Sequence, residues 1–216
     1  DDCFSLMPTA EKYDVYSTGL LGQDEIDELR KRMTPSLFAA NYELKHIANE
    51  NTLLNTPPKF VDDVNLMRQG RAHIDASYGG EDGSVLTIAN RMGDKIYVLG
   101  KRRQGHIDSH LNEFLSLCKA YQAGVIRVED NGDKGYLAKE ITKRGGYAKT
   151  YHEDMNKYIK ISTYLKAEWD NVYFLRGTDE EYIDEILDYS EDAAHDDSPD
   201  SLACVLRDYS KIYKRG

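Results

Sequence analysis

A change of rhythm near residue 71 limits this chain to few architectures. RAHIDAS, SVLTIAN and KIYVLGK (residues 71–77, 84–90 and 95–101) are short runs rich in strand-forming residues. A turn around Arg91-Met92-Gly93-Asp94 joins the second to the third, which predicts hairpin-linked antiparallel strands. The pattern then alternates. HIDSHLNEFLSLCKAYQA sets Ile107, Leu111, Phe114, Leu115 and Cys118 at helical spacing. GVIRVE reads as a strand, a helix opens near Tyr136, GYAKTYH is a strand and MNKYIKISTYLKAEW a helix. VYFL, DEEYIDEILDY and a last helix from about Pro199 to Tyr213 complete the series. Such an order predicts an α/β domain whose mixed sheet carries helices on both faces.

The first 66 residues read differently. DEIDELRKRM (24–33) is helical in spacing, and Thr34-Pro35 supplies a cap and a first-turn proline for a helix through Ile47. NTPPKFVDD (55–63) interrupts this pattern as a linker would. The expectation is a helical segment over residues 1–66 and the α/β domain over 67–216. No stretch approaches the roughly 18 apolar residues of a membrane span. Cys3, Cys118 and Cys204 lie far apart without CxxC spacing, so neither a disulfide framework nor a zinc site is expected, and an intracellular home is. The chain starts at Asp1 with no leader-like stretch after it and is read as an excised or processed piece.

Net charge is -10, but its distribution says more than its total. Eleven acids and no Lys or Arg fall between Gly177 and Leu206, while Lys139, Lys143, Arg144, Lys149, Lys157, Lys160 and Lys166 thread the preceding segment. Three acidic groups fall where sheets of this kind place their sites. Asp75 sits in an apolar strand, where a carboxylate must be paired, solvated in a cleft or bound to a cation; the plainer role is capping the SYGG turn. Glu129 and Asp130 end GVIRVE, and strand alternation lets only one of them share the inward face, although Asp130-Asn131-Gly132 also suits a simple turn. In HDDSPD, Ser198 as N-cap, Pro199 at the first position and Asp200 near the positive helix end explain the second half. Asp196 and Asp197 are left over. Unit charges 4 Å apart repel by roughly 4 kcal/mol at an effective dielectric of about 20. Converging carboxylates therefore call for a divalent cation, and donors that are all oxygen favour Mg²⁺ or Mn²⁺. Two strand ends and a late helix suit a two-metal site for phosphodiester hydrolysis.

The ordered segments HIDASYGGEDGS, VIRVEDNGDKGYLAKEI and AAHDDSPDSLA together resemble the C-terminal nuclease domain of the large terminase subunit of tailed bacteriophages, an RNase H-like (retroviral integrase) fold. The resemblance covers about residues 68–212, and LFAANYELKHI resembles the segment joining such nucleases to their ATPase domain. It implies a metal-dependent, largely sequence-nonspecific DNA endonuclease that cuts concatemeric viral DNA during packaging. Carried over, the catalytic acids are Asp75, Glu129 or Asp130, and Asp197 or Asp200, with Asp196 beside them and Asp82 as an accessory ligand. Two divalent cations, Mg²⁺ or Mn²⁺, are implied as cofactors. The implied partners are double-stranded DNA and, in the full protein, an ATPase domain, a small terminase subunit and a portal, in the host cytoplasm. No G-x-x-x-x-G-K-[ST] occurs, so no ATP site is expected in this chain. Lys101, Arg102 and Arg103 on the third strand, and Lys157 and Lys160 on a helix, are expected to hold DNA backbone. The 16 tyrosines are scattered and suggest no stacking platform. Other readings are a different RNase H-like nuclease, acting on four-way junctions or RNA strands, and a non-catalytic module that docks its acidic tract on a basic partner.

Overall fold

A computed structural model of the protein describes Gly22, Asp27 and residues 52–79, 83–193 and 195–213, without the side chains of residues 211–213. The chain divides into two compact units, Asp1–Thr52 and Leu53–Gly216. The helices expected over 24–33 and 34–47, Asp27 excepted, and Asp82 lie outside the described residues.

The second unit contains β1 (Lys59–Val61), β2 (Arg71–Asp75), β3 (Gly83–Met92), β4 (Lys95–Gln104), α1 (Leu111–Ala120), β5 (Ile126–Glu129) and α2 (Tyr136–Lys143). These are followed by β6 (Ala148–Tyr151), α3 (Lys157–Glu168), β7 (Val172–Leu175), α4 (Glu180–Leu187) and α5 (Asp197–Tyr213). The strands form one sheet in the order β1-β7-β4-β3-β2-β5-β6. β2, β3 and β4 pair antiparallel, and the remaining neighbours pair parallel. The β3–β4 hairpin closes on Gly93-Asp94, with Met92 opposite Lys95 and Gly93 at φ 62°, a conformation that suits glycine.

Period-two alternation separates two cores. On one face Ala72, Ile74 and Val128 pack with Phe114 of α1 and Leu137 and Ile141 of α2. On the other, Val85, Ala89 and Phe174 pack with Ile161 of α3, Tyr182 of α4 and Leu202 of α5. Burying each of the larger side chains contributes about 1.5–3 kcal/mol, so both faces need their helices. α4 lies so close to β4 that a Cβ on Gly100 would stand 2.2 Å from the Tyr182 ring. A buried polar chain ties the second face together. Tyr182 meets Thr87 Oγ1 (2.7 Å), Thr87 meets Ser201 Oγ (2.8 Å), and Ser201 meets His73 Nδ1 (2.9 Å). These bonds fix the start of α5 against β2.

The mixed sheet with helices on both faces matches the expected class. The stretch read as a linker, 55–63, behaves differently: Lys59–Val61 pairs in parallel with β7, and Leu53 and Leu54 are buried in the core. Pro57 and Pro58 precede a strand at the sheet edge, where the missing N–H groups cost no ladder bond. Among the described residues, no helix is long and apolar enough to cross a membrane.

Candidate metal centre

Asp75 is the last residue of β2. Its parallel neighbour β5 pairs Ile74 with Val128, so the chain ends of both strands bring Asp75 and Glu129 side by side. The first turn of α5 adds Asp200, which is buried, with its N–H donating to the Asp196 carbonyl at 2.9 Å. The result is a cleft of about 250 Å³ lined by Asp75, Glu129, Asp200, Asp133, Lys157 and Tyr78 among others.

Charge is poorly compensated here. The Asp75 side chain has no hydrogen-bond or ion-pair partner among the described residues. Burial, then the neighbouring Asp200 and Asp197 carboxylates, push its pKa up to about 8, against the pull of Lys157. Burial likewise raises Glu129 and Asp200, against the pull of Lys160. Asp197 is pushed up to about 6 by burial and by Glu185. Two lysines supply the local positive charge. Lys160, fully buried, places Nζ 2.8 Å from Asp200 Oδ1 and 2.9 Å from Glu153 Oε2. Lys157, half exposed, stands 2.8 Å from Asp196 Oδ1.

The fold sorts the acids that the sequence left open. Glu129 lines the cleft, whereas Asp130 lies outward with Oδ1 3.6 Å from His152 Nδ1. Asp200 lines it too, while Asp197 accepts from the Gly83 N–H at 3.3 Å and Asp196 is held by Lys157. The helix itself begins at Asp197, two residues before Pro199. Glu185 of α4 explains this: it accepts from the Asp197 N–H at 3.0 Å and from the Ser198 hydroxyl. Ser198 therefore donates to a neighbouring helix instead of capping its own, and Pro199 still falls in the first turn, where no N–H is missed.

Two participants escaped the sequence reading. Glu185 belongs to another helix 12 residues earlier, and nothing in DEEYIDEILDY marks it apart from its neighbours. Asp133 caps α2, accepting from the N–H groups of Gly135 (2.7 Å) and Leu137 (2.8 Å) and from the Tyr78 hydroxyl (2.6 Å). Although burial opposes it, those donors hold the Asp133 carboxyl below its usual range.

The basic residues differ from expectation. Lys101 donates to the Gly177 carbonyl (2.6 Å) and Asp179 (2.7 Å), Arg102 to Glu185 (3.1 Å), and Arg103 to Glu113 (2.6 Å) and Asp179. Acids of α1 and of the α4 region take up their charge. Lys160 has no exposed surface, and Lys157 alone of the five lines the cleft.

In donor chemistry, though not in the spacing of the side chains as placed, the cleft suits a hard divalent cation. It offers carboxylate oxygens only, with Asp75 unpartnered and Asp200 Oδ1 near Lys160 but not aligned in a hydrogen bond. Among the described residues, no three His, Cys, Asp or Glu side chains stand close enough to form a coordination shell as placed. Asp200 and Asp196 are drawn instead to their lysines.

No family model matches the chain, and no curated protein matches it in sequence. Solved structures do. The large terminase nuclease of thermophilic phage G20c with bound zinc superposes with TM-score 0.52 at 18% identity, over 72% of this chain and 94% of that one. The nuclease domain of the bacteriophage SPP1 g2p large terminase with bound Mn gives 0.50 at 12%, over 76% and 99%. The large terminase of a second thermophilic bacteriophage gives 0.53 at 12%, over 87% of this chain and 53% of that one. At such identities the likeness is one of fold. The described unit has the RNase H-like α/β fold of the large terminase nucleases.

Proposed function

We propose that this protein is a metal-dependent DNA endonuclease that cuts concatemeric viral DNA during genome packaging. The observation that supports it most is Asp75, a carboxylate with no side-chain partner among the described residues, which lines a cleft together with Glu129 and Asp200. Similar folds were solved with bound magnesium and manganese, in the G20c and SPP1 nucleases. Asp75, Glu129 and Asp200 are the residues we assign to hold divalent cations, with Asp197 behind them. When bound, such cations activate water as a nucleophile and neutralise the charge that builds on the phosphodiester.

The chain's own residues do the rest. Asp75 and Glu129, anchored on adjacent strands, hold their carboxylates at fixed spacing, which keeps the cost of assembling the site low. Lys160 and Glu153 orient Asp200 from behind. Lys157, half exposed in the cleft lining, would be the residue to meet a phosphate of a bound strand. The chain spans about half, 53%, of the second thermophilic phage's large terminase, and we read the remainder of such a protein as the ATPase that drives packaging with a small terminase subunit and a portal.

The test is calorimetric Mn²⁺ binding alongside cleavage of duplex DNA, four-way junctions and RNA:DNA hybrids. Asp75→Asn should abolish metal binding and lower duplex cleavage by about 10²–10³-fold or more. Cleavage that survives the substitution sinks the metal-site account. Preference for junctions or hybrids points to another nuclease of this fold, and a wild-type chain that binds no Mn²⁺ points to an acidic docking module.

A further inference from the structure

Tyrosines scattered in sequence meet in space at the lip of the cleft. Tyr78, in the loop after β2, lines the cleft and is 44% exposed; Tyr136, the first residue of α2, is 39% exposed. Their ring centroids are 6.1 Å apart at 68°, and Tyr78 meets His106 at 5.6 Å and 79°. In edge-to-face packing of this kind the edge of one ring meets the face of the next, and both tyrosines keep exposed surface. The rings are also held in place. Tyr78 donates its hydroxyl to Asp133 at 2.6 Å, and Tyr136 donates to Asp108 at 2.8 Å.

We propose that Tyr78, Tyr136 and His106 form a stacking platform for an unpaired nucleobase next to the phosphate being cut. The proposal rests on the nuclease reading and extends it to the state of the DNA in the site. Three features select this ligand. Both hydroxyls are already engaged, so the cluster offers π faces and little free hydrogen-bonding capacity. The carboxylates that hold them, Asp133 and Asp108, the latter paired with Arg144 at 3.6 Å, offer phosphate no net attraction, which leaves the uncharged base as the part of a nucleic acid that fits. And Lys101, Arg102 and Arg103 are occupied by internal acids, so stacking can supply a sequence-tolerant hold that charge does not. A base inside a duplex has no free face, so the platform requires a strand that is frayed or has a base turned out.

The test uses the full chain in EDTA and a single-stranded oligodeoxyribonucleotide carrying 2-aminopurine, with its duplex as the comparison arm. The wild type should quench 2-aminopurine in the single strand. Tyr136→Ala should weaken that binding by about 5- to 100-fold and abolish the quench, whereas Tyr136→Phe, which keeps the ring, should stay within about twofold. Duplex affinity should change little. Absence of quenching by the wild type, an unchanged Tyr136→Ala, or equal losses in Ala and Phe variants overturns the platform. So does competition by tetramethylammonium chloride in excess of that by sodium chloride, which would mean that the rings and carboxylates hold a cation. Circular dichroism of Tyr136→Ala controls for folding, and Tyr78→Phe provides a second variant, expected to retain stacking without the Asp133 bond. Binding in EDTA does not register cleavage. A wild type inert toward DNA in Mn²⁺ therefore removes the nuclease reading alone, and a normal affinity in Tyr136→Ala removes the platform alone.

Discussion

Asp75 carries a consequence for stability that can be read without any metal. Its folded pKa of about 8 lies above the ordinary 3.8, so between these values the metal-free folded protein binds more protons than the unfolded chain. The stability it contributes is present below about 3.8 and is lost as pH rises through 8. In EDTA, Asp75→Asn should melt higher than wild type near pH 8, with the gap narrowing toward pH 4; a gap independent of pH would refute the assignment. His73, lowered to about 3 by burial and then by Lys160, acts in the opposite sense, losing stability as pH falls below 6.5, and cancels in the comparison. Lys157 makes a second prediction. It balances Asp75 and Asp196 now, and its charge opposes an incoming cation, so Lys157→Gln should lower the Mn²⁺ Kd by roughly fivefold, the scale of a ~1 kcal/mol charge interaction. Weaker binding in calorimetry would instead make Lys157 a support for the ligands. At this scale the sequence was informative about Asp75, because a carboxylate in an apolar strand is conspicuous. It was silent between Asp197 and Asp200, whose orientations depend on how α5 sits on β3.

The elements were legible because each carries a clear local signal: short runs rich in strand-forming residues in β2, β3 and β4, and helical spacing in α1, α4 and α5. What was misread is their ends. α5 starts at Asp197 because Glu185, on α4, accepts its first-turn donors, and Glu185 is in turn paired with Arg102 of β4. Glu185→Ala strands a nearly buried guanidinium and frees those donors, which should cost about 3 kcal/mol in urea unfolding; Glu185→Gln, which keeps acceptors, should cost about 1 kcal/mol. Equal, small effects would separate α4 from the control of α5. β1 was missed for another reason. It has three residues, follows two prolines, and gains its identity only from pairing with β7, more than a hundred residues later.

At the scale of the whole molecule, net charge is -10, and among the described residues many of the cationic side chains are taken up by internal ion pairs. Arg91, Lys101, Arg102, Arg103, Arg127, Lys160 and Arg207 all face acids of the same unit. Duplex binding by the isolated chain should thus release few counterions, giving a log K against log salt slope no steeper than about -3. A slope near about -6, read from fluorescence anisotropy across a salt series, would mean that these pairs open toward DNA.

Local pattern by itself determined the α/β class, the antiparallel run followed by parallel strands, and three acidic segments at strand ends and a helix start, since these follow from periods of two and 3.6 and from the cost of placing a carboxylate among apolar neighbours. Only tertiary structure decided that Glu129 and Asp200 face Asp75, that Lys160 is sealed beneath them, and that the arginines of β4 are consumed by acids elsewhere in the unit. It also decided that Tyr78 and Tyr136 share one lip of the cleft. Each of these is a pairing between residues tens of positions apart, and such contacts are set by sheet order and helix docking, which no local period encodes.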